Sequence, residues 1–172
     1  MVKKINPWIR YIIILAFAVL LLLLVTLKNK KHGSKVADVF QVKTEEITAF
    51  TIGKGQNSVT LIKADTTWIF AEPDTGAVKD WRINNFFTNI VNAKRTGFVT
   101  KNPEKYAQYN ISDSLAIYVQ LKHGESVLET VFVGRSKSSY SQDYVRYPDD
   151  PKVYITQKKL LSYLGEKAAS WR

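Results

Sequence analysis

Tyr11–Leu27 is a run of 17 residues without a charge, and no other feature limits this chain more. As a helix it is about 25 Å long at roughly 1.5 Å per residue, slightly short of a hydrocarbon core of about 30 Å. Extending it back to Trp8 closes the gap, because the Arg10 side chain can snorkel to headgroups and Trp8 suits the interface. Residues 8–27 therefore read as a single transmembrane helix, with Trp8, Arg10, Tyr11 and Leu27 as its anchoring residues. A cleaved signal peptide is the competing reading. The apolar core exceeds the roughly 7–15 residues of such peptides, and Lys28–Lys35 offers no small-x-small cleavage site.

The net charge of +10 raises the question of a nucleic-acid partner. Seven of the 25 basic residues lie in residues 1–35, while all 15 acids follow them. The rest of the chain carries 18 basic against 15 acidic residues, a balance of only +3. The excess is the flanking charge of an anchor and favours anionic headgroups, so the bilayer is an expected partner and nucleic acid is not. There is no Cys, which removes disulfides and thiol chemistry. The two His residues, His32 and His123, are too few and too far apart for the usual metal and catalytic constellations, so no metal or cofactor is expected.

Four segments follow from this reading: a basic tail (1–10), the helix (8–27), a basic juxtamembrane linker (28–37) and a folded domain (38–172). In the domain, Ile47–Ile52, Ser58–Ala64 and Thr67–Phe70 are strand-like and joined by short turns, which predicts an antiparallel meander. Asp80 is the predicted N-cap of a helix whose stripe is Ile83, Phe86, Phe87, Ile90 and Val91. The second half repeats the plan. Leu115–Lys122, Ser126–Val133, Tyr140–Tyr147 and Lys152–Ile155 read as strands, and Gln157–Leu164 as a closing helix before Gly165. The expected fold is α+β: antiparallel strands covered by two helices, an internal duplication being suggested by the repeated order.

Thr67-Trp68, the N-capped helix, Tyr109-Asn110-Ile111, Val133-Gly134, Tyr144-Val145-Arg146, Val153-Tyr154 and the closing Trp171-Arg172 together resemble the bacterial DUF4340 family. The resemblance spans residues 38–172. It implies a single-pass envelope protein of the cytoplasmic membrane, with its domain outside the cytoplasm. It also implies integral-membrane partners akin to ABC-type transporters and gliding-type auxiliary proteins. It supplies no catalytic residues. Asn110 departs from the family's usual glycine, although Asn tolerates the same left-handed conformation.

Local motifs add little chemistry. Gly53-Lys54-Gly55 lies between two strands and lacks a P-loop ending, so it reads as a hairpin turn. Asp149-Asp150 sits in a Pro-flanked turn and does not converge as an acid/base pair would. The Tyr residues suit strand packing, and some suit an interface. Arg135, Lys137, Tyr140 and Tyr144, in and beside a polar loop, form the candidate interaction surface. The expected function is a membrane-anchored, non-enzymatic accessory or scaffold subunit of an envelope complex, of ABC-transporter type. The alternative is an envelope module that senses a glycan or peptide.

Overall fold

The computed structural model describes residues 7–31, 36–137 and 140–172. Residues 1–6 of the basic tail, residues 32–35 of the linker, and Ser138-Ser139 lie outside the described residues. The chain divides into two compact units, residues 1–34 and 35–172.

Among the described residues the first unit holds one helix, α1 (Pro7–Lys31). The transmembrane expectation is corrected here: among the described residues no helix is long and apolar enough to cross a membrane. Arg10, Lys28, Lys30 and Lys31 fall inside the helix and confine its uncharged stretch to Tyr11–Leu27. On its own that stretch falls short of the hydrocarbon thickness, and the Arg10 side chain whose snorkelling would extend it lies outside the described residues. Side chains 11–24 are exposed, as is Trp8; those of Arg10 and Leu27 lie outside the described residues.

Among the described residues the second unit is built on one nine-stranded sheet. Its strands are β1 (Ala37–Asp38), β2 (Ala49–Lys54), β3 (Asn57–Ala64), β4 (Thr67–Phe70), β5 (Lys94–Thr100), β6 (Ile117–His123), β7 (Ser126–Gly134), β8 (Tyr144–Tyr147) and β9 (Asp150–Thr156). Their order across the sheet is β1-β5-β9-β8-β7-β6-β2-β3-β4, and every neighbouring pair is antiparallel. Two meanders, β2–β4 and β6–β9, are joined by the β2–β6 ladder from Ala49↔Lys122 to Gly53↔Tyr118.

This replaces the expected α+β duplication with two covering helices. The first helix forms as α2 (Asp80–Phe86), followed by a π-helical turn at Phe87–Val91. Lys79, not Asp80, occupies its N-cap position, and no side chain caps it. The second predicted helix, Gln157–Leu164, is reduced to a single 3-10 turn at Leu161–Tyr163, and a separate 3-10 turn follows at Ala168–Ser170. The halves also differ in strand number, three against four, and share one sheet instead of forming two copies.

Alternation along the strands sends side chains to two faces. One face carries the main core, where Phe50 stacks on Phe86 at 4.1 Å between centroids and 15° between planes. Trp171 completes this group at 5.4 Å from Phe50 and 5.9 Å from Phe86. It is 2% exposed, and its indole N–H donates to the Gly165 carbonyl at 2.9 Å. The C-terminal segment thus covers the sheet by inserting an aromatic side chain, without a helix. The other face buries Ile111, Ala116, Tyr144 and Val153 under the 3-10 segment Pro103–Tyr109.

Candidate interaction site

The site is the corner where β7 ends. Gly134, the last residue of β7, has to be glycine because two carbonyl oxygens, those of Asn110 and Tyr109, occupy the space a Cβ would need. Asn110 adopts φ 50° and ψ 41°, the left-handed conformation that Asn tolerates. Its side-chain amide donates to the Arg135 carbonyl at 2.7 Å, which pins the loop that follows. Lys54, Asn110, Leu115, Ile117, Gly134 and Arg135 line a cleft of about 240 Å³.

Arg135 is held by Asp143, the residue just before β8. Its Nε donates to Oδ1 at 2.5 Å and its Nη2 to Oδ2 at 3.0 Å. The Asp143 side chain is fully buried, while that of Arg135 keeps 25% of its exposure. Donating hydrogen bonds to Asp143 raises the pKa of Arg135 above its ordinary value, against the opposing effect of burial. Asp143 Oδ2 also accepts the main-chain N–H of Leu160 at 2.6 Å and of Leu161 at 2.9 Å. One carboxylate therefore closes the β7–β8 loop and fixes the turn that follows β9.

The four residues singled out from the sequence separate. Lys137 and Tyr140 are exposed, Tyr140 by 71%. Arg135 is half-buried and committed to Asp143. Tyr144 is buried, its ring centroid 4.7 Å from that of Tyr109, and this burial pushes its phenol pKa up. The accessible part of the predicted surface is thus Lys137 and Tyr140, with Arg135 at its inner rim. Among the described residues no group of His, Asp and Glu is placed to hold a metal ion. Asp150, in the turn read as inert, accepts the Tyr154 hydroxyl at 2.6 Å.

The sequence reading missed two arginine arrangements. Arg146, 7% exposed, pairs with Asp113 and lies over the rings of Phe132 and Tyr106 at 4.5 and 4.9 Å. Arg95 lies over the Tyr154 ring at 3.9 Å. For Arg146 the only signal was its place two residues after Tyr144 in one strand, which puts both on one face; the rings it lies over come from other elements.

A stretch of 81 residues is 31% identical to mannitol-1-phosphate 5-dehydrogenase of Mycoplasmopsis pulmonis. It covers 47% of this chain, and the chain spans only 21% of that relative's length. No solved structure matches. The family model described as "Domain of unknown function (DUF4340)" matches residues 68–172, from Trp68 in β4 through the Arg135 corner to the buried Trp171, and the chain belongs to that family.

Proposed function

We propose that the chain is a membrane-associated, non-enzymatic accessory subunit of an envelope complex. Its sheet domain stands outside the cytoplasm and contacts integral-membrane partners of transporter type. The observation that carries this reading is α1, whose residues 11–24 are apolar but for the Tyr11 hydroxyl and exposed all round the helix. Such a helix is stable only in an apolar setting, and lipid supplies one. Holding the domain at a membrane raises its effective concentration near membrane partners, so a weak contact suffices. Lys137 and Tyr140 are the exposed residues offered for that contact. The stretch shared with the dehydrogenase is about a fifth of that enzyme's length, and the proposed function does not draw on it.

Vesicle flotation tests the reading. The full chain should float with anionic liposomes, and substituting Ile13, Phe17, Leu20 and Leu24 with Ser should return it to the dense fraction. A wild-type chain that stays in the dense fraction contradicts membrane association. Protease added to intact spheroplasts should digest the domain; protection until lysis contradicts the proposed side.

A further inference from the structure

A second cleft, of about 130 Å³, shares no lining residue with the one at Arg135. Arg82 of α2 forms one wall, and Ser162, Gly165, Ser170 and Trp171 of the C-terminal segment form the other. We propose that this cleft binds one small oxyanion group, carboxylate or phosphate. Arg82 supplies the counter-charge, and Ser162 and Ser170 supply hydroxyl donors.

The state of Arg82 argues for this. Arg135 and Arg146 each pair with a carboxylate, and Arg95 donates to the Asp38 carbonyl at 3.3 Å. Among the described residues Arg82 has no carboxylate within 4.0 Å, and its Nε is shut off from solvent without an acceptor. Buried donors are nearly always paired, so an unsatisfied Nε leaves this guanidinium, whose residue lines the cleft, with donor capacity unspent. The guanidinium is also held in orientation. Its central carbon lies 4.2 Å from the ring centroid of Trp81, which is itself 51% exposed. A stacked guanidinium keeps its planar fork of donors ready for an oxyanion.

The opposite wall is built to match. The Trp171 indole N–H is already spent on the Gly165 carbonyl. The Ser162 and Ser170 hydroxyls have no hydrogen-bond partner among the described residues. A side chain at Gly165 would displace Ser170, so glycine keeps this hydroxyl where it is. The volume suits a group of a few heavy atoms and falls below the roughly 300 Å³ of ordinary small-molecule pockets. One positive charge, two hydroxyls and a small volume specify a compact anion.

The test is a titration of the ¹⁵N-labelled full chain in detergent micelles with sodium phosphate, sodium acetate and sodium chloride at fixed ionic strength. The resonances followed are the Arg82 Nε–H and the Trp81 and Trp171 indoles. The expected result is a saturable shift of Arg82 Nε–H, with a dissociation constant on the order of 1 mM for so few contacts. Followed at the Trp81 and Trp171 indoles, the saturable shift should be abolished by Arg82→Met and weakened about tenfold by Arg82→Lys, which loses the fork. Because Arg82→Met could disturb α2, the Ser162→Ala/Ser170→Ala pair gives a second arm, with a severalfold loss expected. Saturation by phosphate alone assigns a tetrahedral oxyanion, by acetate alone a carboxylate, and by both the shared chemistry. A non-saturating or chloride-like response overturns the site, as does a double-serine variant that titrates like wild type.

Discussion

Arg135 and Asp143, at the two ends of the β7–β8 loop, meet through two parallel hydrogen bonds of 2.5 and 3.0 Å. The carboxylate is fully buried and also takes the Leu160 and Leu161 amides. Asp143→Ala would leave a guanidinium and two amides without their acceptor. Removing one partner of a buried ion pair costs about 3–5 kcal/mol. Urea denaturation of Asp143→Ala should show a loss of that size. A loss within about 0.5 kcal/mol, the range of ordinary surface substitutions, would show the carboxylate does not organise this corner.

Phe86 is fully buried and stacked on Phe50, whereas Phe87 is half-buried at the edge of the same group. Truncating a fully buried Phe costs about 3–5 kcal/mol. Phe86→Ala should therefore lower the urea midpoint clearly more than Phe87→Ala. Equal losses would contradict the packing described for α2.

Gly134 has no room for a side chain, and the obstructing atoms are main-chain carbonyl oxygens that cannot swing aside. Gly134→Ala should cost about 1–3 kcal/mol, as overpacking generally does. It should also shift the Asn110 amide resonances, because the two segments must part. A variant with wild-type stability and an unshifted Asn110 would argue against this close approach.

Burial raises the pKa of Glu129 above 4.5, against the opposing pull of the Gln41 N–H and of Arg95. A folded pKa above the unfolded one means the native state holds the proton more tightly. The contribution is therefore present below the unfolded value and lost as pH rises through the folded one. Glu129→Gln retains an acceptor for Gln41, 2.8 Å away, and removes the titration. Its thermal midpoint relative to wild type should rise from about pH 4 to about pH 7. A difference that stays flat or falls over this range would contradict the burial of this carboxyl.

Much of the local structure is legible in the chain. The alternation of Val59 and Leu61 against Thr60 and Ile62 predicts β3, and Asn110 takes the left-handed conformation its chemistry permits. The stripe Ile83, Phe86, Phe87, Ile90 and Val91 faces the core as its spacing implies. What was not legible depends on distant partners. Leu160, Leu161 and Leu164 have helical spacing, yet Asp143 captures the amides of Leu160 and Leu161, and the Thr156 hydroxyl donates to the Lys158 carbonyl at 2.7 Å. These bonds satisfy the segment without a helix. Tyr144 reads as a surface residue until Pro103–Tyr109 covers its face. The joining of two meanders rests on the β2–β6 ladder, whose partners lie some 70 residues apart.

The central claim is that the domain docks on membrane partners through the exposed end of the β7–β8 loop. Co-purification of the tagged full chain in mild detergent tests it most directly, comparing wild type with Lys137→Glu/Tyr140→Ala. Both positions are exposed, so the variant should keep its thermal midpoint. The account predicts that integral-membrane, transporter-type subunits are recovered with the wild-type chain in a fixed ratio and are lost with the variant. Recovery of the wild-type chain as an isolated monomer, or equal recovery of those subunits with both proteins, would contradict it.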